Sequence, residues 1–434
     1  MVIKLFHRHS LLVCIGLLAG VVALCMAVNF FGKKEDVPAQ SPMGQSSHVS
    51  DLQETSSSSE IPVEPASKDE MRAVWVPYMS LDMSKEVDKS AQAFQKKFDA
   101  IVEEAKQCGM NALVVHVRPF GDALYPSQYY PWSHIVGGTQ GRDPGYDPLE
   151  YMVEATHKAG MEFHAWLNPM RIQSGGDTPS TLAENNNYNV WQGDSSKAGW
   201  TVQTASGKYY NPAYPEVRKL VADGAKEIVE HYDVDGIQFD DYFYPSEDPA
   251  FDETAYNAYV ESVSTGGKPL SLLEWRRANV NAMVSLTYSE IKGVNPDVQF
   301  GISPQANVSN DLKMGADVEA WCSVRGYVDY ICPQIYWGFK HPTAAFDKVT
   351  RRWVKAAKKK KVKLYLGIGV YRAGHNAGQD RAERKEWKSD TKVLKKQVQY
   401  GRKYKVDGFA FFDYQDLKSK TSRKAVNQLK TVLK

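Results

Sequence analysis

Six short runs in this chain gather side chains that bind hydroxyls and amides and steady charge. They are His116-Val-Arg118-Pro-Phe-Gly-Asp122, Trp166-Leu-Asn168-Pro-Met-Arg171, Gln238-Phe-Asp240-Asp241-Tyr-Phe-Tyr244, Ser303-Pro-Gln-Ala-Asn307, Gln334-Ile-Tyr336-Trp337 and Phe412-Asp413-Tyr414. Each closes an apolar or aromatic run of strand length. The chemistry on offer is proton transfer at a carboxyl, with an imidazole, a guanidinium, amides and a phenol beside it to hold the reactant. One polar residue at a strand end is usually a cap or a turn ligand. Six strand ends built alike argue for a shared site.

The elements that must carry these residues alternate regularly. Strand-like runs fall at residues 72–79, 112–119, 162–169, 236–242, 299–304, 330–337, 363–371 and 408–413. Helical patterns fill the gaps at 92–108, 149–159, 215–231, 270–291, 318–324, 344–360, 382–404 and 422–433. Eight βα pairs imply an α/β protein with a parallel sheet, closed as a single (β/α)8 TIM barrel. An open doubly wound sheet is the rival, but no Gly-rich phosphate loop follows the first strand. In a barrel, the C-terminal strand ends form the functional face. A long polar insertion, residues 173–214 with Trp191, Trp200, Tyr209 and Tyr210, emerges on that face.

Strand side chains alternate with period two, so one parity of each strand faces the interior. His116 with Arg118, Trp166 with Asn168, Gln238 with Asp240, and Gln334 with Tyr336 form a consistent inward set. Asp240 is thus the central candidate. Alternation turns Asp241 the other way, as a loop or cap ligand and not as the partner of Asp240. Arg171, Trp337 and, from its loop position, Asp241 complete the candidate binding residues. Trp75, Trp132, Trp166, Trp337 and Tyr371 are candidates for stacking on a ligand ring.

Composition narrows the partners. The 434 residues carry 53 basic and 51 acidic side chains, a net charge of +2, which argues against a broad nucleic-acid face. No metal or cofactor is expected: the first strand reads Ala73-Val-Trp-Val-Pro-Tyr78 without a His-x-His pair, and His116 and His164 lack partners at ligand spacing. Of the five cysteines, Cys108, Cys322 and Cys332 read as buried thiols, with Cys322 and Cys332 the pair worth checking for a disulfide.

Residues 1–10 form a basic flank, and residues 11–31 an uninterrupted apolar run of bilayer-spanning length. An uncleaved signal anchor is favoured over cleavage before Cys25 or after Ala27. Residues 32–70, rich in Ser, Pro, Gln and Glu, form a flexible linker. The expectation is a single-pass membrane protein with its barrel, residues 71–434, outside the cytoplasm.

Several motifs match one family as a set. They are Asn211-Pro-Ala-Tyr-Pro-Glu-Val-Arg218, Asp235-Gly-Ile-Gln-Phe-Asp-Asp-Tyr242, Met71-Arg-Ala-Val-Trp-Val76, His116-Val-Arg-Pro119, Phe163-His-Ala-Trp-Leu-Asn168 and Pro333-Gln-Ile-Tyr-Trp337. In these the chain resembles glycosyl-hydrolase-like family ten, bacterial envelope barrels. The resemblance implies glycoside hydrolysis, with cell-wall glycan stripped of its stem peptides as the substrate class. Another extracellular polysaccharide, or glycan binding without catalysis, are the alternatives.

Glycosidases generally use two carboxyl groups. Asp240 is the first; Asp122, Asp413 and Glu274 are the candidates for the second, in that order. The segment Asp235-Gly-Ile-Gln-Phe-Asp-Asp-Tyr242 also resembles the chitinase strand-four motif, with Tyr242 where that motif places its acid Glu. Substrate-assisted hydrolysis, in which the substrate's own N-acetyl group replaces a carboxylate, therefore stays open.

Overall fold

The computed structural model describes residues 65–434 except 177, 264–265 and 358–361. The expected anchor at 11–31 and nearly all of the expected linker lie outside the described residues. Among the described residues no helix is long and apolar enough to cross a membrane.

Among the described residues eleven strands occur, in chain order β1 Met71–Val76, β2 Ala112–Arg118, β3 Glu162–Leu167, β4 Arg171–Ser174, β5 Thr201–Thr204, β6 Gly207–Tyr210, β7 Gly236–Phe239, β8 Gln299–Ile302, β9 Tyr330–Ile331, β10 Lys363–Gly369 and β11 Gly408–Phe412. Eight of them close a barrel in the order β1-β11-β10-β9-β8-β7-β3-β2. Every barrel pairing is parallel, with Met71 opposite Gly408 and Ala73 opposite Ala112 where the first strand meets its two neighbours. The expected TIM barrel is therefore present.

The alternation that marked the strands sorts the core into two layers. Val74, Val76, Leu113 and Val115 face outward into the large core beneath the helices. Ala73, Trp75, Ala112, Val114, Trp166, Tyr330 and Tyr365 fill the barrel itself. The interior is packed closely enough that a Cβ on Gly301 would lie 2.1 Å from the Tyr330 ring, so only glycine fits there. Chain closure is reinforced at Glu70, whose carboxylate accepts from Arg402 Nε at 2.7 Å and Nη2 at 2.8 Å in a buried fork.

Three local expectations need correction. The run at 236–242 is strand only to Phe239, and that at 330–337 only to Ile331, so the polar tails lie in loops beyond the ladder. The helix expected at 382–404 is two, Arg381–Ser389 and Val393–Lys403, with the side chain of Asp380 capping the first. The insertion at 173–214 is ordered: β4, β6 and β5 form an antiparallel sheet, backed by helix Asn187–Gln192, in which Trp191 meets Trp200 and Tyr210 at 5.1 and 5.8 Å. As read from the sequence, Cys108, Cys322 and Cys332 are buried thiols, and no disulfide joins Cys322 to Cys332.

Candidate active site

A cleft opens at the C-terminal strand ends. It is lined by Trp75 on β1 and Tyr78 and Met79 after it, His116 on β2, Trp166 on β3, Arg171 on β4, Gln238 on β7 with Asp240, Asp241 and Tyr242 after it, Ser303 after β8, Gln334 and Tyr336 after β9, and Phe412 on β11. Register sets the inner wall, because His116 pairs with Trp166 and Trp166 with Gln238, all on the interior face. The imidazole of His116 lies flat on the Trp166 indole, centroids 3.7 Å apart and planes within 7°. The indole of Trp75 donates to Gln238 Oε1 at 2.6 Å, and Gln238 in turn donates to Tyr330 Oη at 3.1 Å.

Asp240 is 3% exposed. Burial is the main force raising its carboxyl, the charge of Asp241 adds to it, and the acid is pushed up to about 7. The Arg171 charge, the Trp166 indole N–H (3.1 Å to Oδ2) and the Tyr242 backbone N–H (3.3 Å to Oδ1) oppose that rise. Asp240 therefore keeps its proton to a far higher pH than an ordinary carboxyl does.

Asp241 was expected to turn away, yet it lines the same cleft. Alternation stops with the ladder at Phe239, and Gln334 Nε2, shared with the carbonyl of Ser303, holds Asp241 Oδ1 at 3.0 Å. Burial raises this carboxyl too, while the Gln334 amide and the Arg171 charge favour its ionised form. Behind the pair Asp311, missed in the sequence, is 2% exposed. Burial and then the Asp241 charge push it up to about 9.

His116 is 2% exposed and neither ring nitrogen has a hydrogen-bond partner. Burial, helped by the Arg171 charge, keeps the imidazole well below its usual range and hence neutral. A neutral ring has one donor and one acceptor nitrogen to offer a ligand. The buried hydroxyl of Ser303 is also without a protein partner. Asn168 sits one layer back, its Oδ1 accepting from the Arg171 backbone N–H at 3.0 Å.

The remaining candidates lie elsewhere. Arg118 does not share the inward face of His116, because the β2–β3 register shifts between these two residues. Its guanidinium packs on Tyr130 at 4.4 Å and against Gly224 of helix Pro215–His231, outside the barrel wall. Asp122 is fully buried and accepts from Gln140 Nε2 at 2.9 Å, and Gln140 Oε1 binds the backbone of Ala183 and the side chain of Asn186. That network ties the β2 loop to the insertion and leaves Asp122 outside the cleft lining. Asp413 caps helix Tyr414–Lys418 through the backbone N–H groups of Gln415 and Asp416. Glu274 closes a capping box with Ser271 on helix Leu272–Val294 and is exposed to solvent.

Of the aromatic candidates, Trp75 and Trp166 line the cleft and Tyr371 stands at its rim, edge-on to Tyr336 at 5.9 Å. Trp132 packs on the outer core, and Trp337 packs there and on His341. Tyr78 and Met79 were missed, because they belong to a one-turn helix that periodicity cannot reveal. Among the described residues no His, Cys, Asp or Glu cluster could hold a metal ion.

A parallel (β/α)8 barrel with a buried and a half-buried carboxyl side by side in an aromatic-walled cleft at its C-terminal face has the architecture of a barrel glycosidase. The chain belongs to the glycosyl hydrolase-like 10 family, whose model matches residues 70–388. It is 35% identical over 329 residues to glycosyl hydrolase YngK of Bacillus subtilis (71% of this chain, 62% of that protein). It is 34% identical over 325 residues to glycosyl hydrolase DigH of Escherichia coli K12 (70% and 72%). Among solved structures, the PgaB (BpsB) glycoside hydrolase domain of Bordetella bronchiseptica matches with TM-score 0.54 at 12% identity, over 83% of this chain and 99% of that domain. The catalytic domain of a Paenibacillus polymyxa beta-amylase matches with TM-score 0.54 at 12% identity, over 84% and 99%. At such identities these two share the fold alone.

Proposed function

We propose that the chain is a glycoside hydrolase of bacterial cell-wall glycan, acting on strands freed of their stem peptides, with Asp240 as the acid. The observation that carries this reading is the Asp240 carboxyl, buried in the cleft, pushed up to about 7 and set beside Asp241. An acid that keeps its proton near neutral pH can protonate the leaving glycosidic oxygen as the bond to C1 breaks.

The second role falls to Asp241. Two carboxyls on consecutive residues share one wall, and among the described residues lining the cleft they are the only carboxylates. That arrangement favours substrate assistance. Asp241, held by Gln334, accepts the N–H of the substrate's acetamido group, whose carbonyl oxygen then attacks C1 as the leaving oxygen takes the Asp240 proton. Water opens the resulting oxazolinium ring, giving up its proton to Asp240. The neutral His116 and the hydroxyl of Ser303 are placed to bind sugar hydroxyls.

In this reading residues 11–31 anchor the chain in the cell membrane, with the barrel outside the cytoplasm and facing the wall. The test is Asp240→Asn on peptide-free glycan strands, read as new reducing ends. A loss of about 10²- to 10⁴-fold is expected. A folded variant with undiminished turnover removes Asp240 from the reaction, and a wild-type chain that binds strands without releasing reducing ends makes the protein a glycan-binding one.

A further inference from the structure

Among the described residues lining the cleft, Arg171 is the sole cationic side chain. It is the first residue of β4, and the turn before it is fixed by Asn168, whose side chain receives the Arg171 backbone N–H. The guanidinium is held in three ways. Its Nε and Nη2 both donate to the carbonyl of Pro119, at 3.1 and 3.0 Å, and the Phe120 and Tyr242 rings flank it at 5.0 and 5.1 Å. Yet it forms no ion pair with Asp240 or Asp241 among the described contacts, and its Nη1 makes no hydrogen bond there. A half-buried guanidinium, rigid and without a carboxylate partner, is prepared to take one from outside.

We propose that Arg171 is an anion subsite that receives a carboxylate carried by the sugar bound at Asp240, so that the cleft selects an acidic saccharide. This rests on the reading of the cleft as a glycan site and adds what the glycan must carry. Cell-wall glycan bears a lactyl ether on every second sugar. Stripped of peptide that group ends in a carboxylate, whereas joined to peptide it is an uncharged amide. The fork of Arg171 binds the first and gains little from the second, which gives a physical reason for acting on bare strands.

The experiment compares peptide-free glycan strands with the same strands after their carboxylates are coupled to methylamine. For the wild-type chain, kcat/KM and calorimetric affinity both fall by about ten- to a hundredfold on amidation, the worth of one charge-assisted hydrogen-bonded pair. Arg171→Lys keeps the positive charge beside Asp240 but loses the fork, and its preference for native over amidated strands collapses toward unity. Arg171→Gln collapses it too and also moves the alkaline limb of the pH profile upward, because the Arg171 charge holds Asp240 down. The subsite is overturned when the wild-type chain binds and cleaves both glycans equally, or when Arg171→Lys loses the same factor on both. Cleavage of neither glycan would sink the hydrolase reading instead, and the binding preference of the wild-type chain then still decides the subsite.

Discussion

Trp166→Phe isolates the force that sets the acid. The indole N–H lies 3.1 Å from Asp240 Oδ2, while the same ring stacks on His116 at 3.7 Å. Phenylalanine keeps an aromatic face for the imidazole and deletes the donor. A hydrogen bond to a charged group is worth about 1.5–3 kcal/mol, and at 3.1 Å the lower end applies. One pKa unit corresponds to about 1.4 kcal/mol, so Asp240 should climb by about one unit. The sign follows from which form reacts. The protonated acid is active, so activity is present below the Asp240 pKa and lost as pH rises through about 7 in the wild-type chain. In Trp166→Phe the alkaline limb of kcat/KM against pH moves up by about one unit, so under mildly alkaline conditions the variant keeps a larger fraction of its neutral-pH rate than the wild-type chain does. The assay is reducing-end release from glycan strands at fixed ionic strength. A limb that stays in place or moves toward acid pH would refute the assignment of Asp240 as the proton donor tuned by Trp166.

Two further substitutions test neighbouring forces. Asp241→Asn removes the charge that raises Asp240, so the alkaline limb of its residual activity moves toward acid pH, opposite to Trp166→Phe, and an unmoved limb would mean the two carboxyls do not interact. Glu70→Ala leaves the Arg402 guanidinium buried without its fork partner; unfolding in urea should show a loss of about 3–5 kcal/mol, and a loss under about 1 kcal/mol would mark the closure as unimportant.

The barrel was legible because its strands are apolar runs with period-two alternation and its helices are long enough to show their own period. What alternation could not give was the conformation beyond the ladder. Asp240 and Asp241 both enter the cleft because Phe239 is the last residue of β7, and past that point consecutive side chains need not oppose one another. Arg118 left the inward set through one register irregularity that no composition signals. Glu274 carried a readable mark, since Ser271 three residues earlier spells a capping box. Asp311 hides in the first turn of helix Val308–Lys313, where an acidic residue reads as ordinary helix-start chemistry. The order within residues 173–214 was masked by polar composition, since a small sheet packed on Trp191 and Tyr210 needs few apolar residues.

The clamp at Glu70 has a mechanical consequence. The chain enters β1 at the end of the barrel opposite the cleft, because all eight barrel strands run parallel and their far ends carry the acids. Tension applied through the amino end is therefore taken by the Arg402 fork and by the ladders of β1 with β11 and β2, loaded along the strand axis. The loops that hold Asp240 and Asp241 stay slack under such a load, and a barrel pulled from behind keeps its working face open to the front.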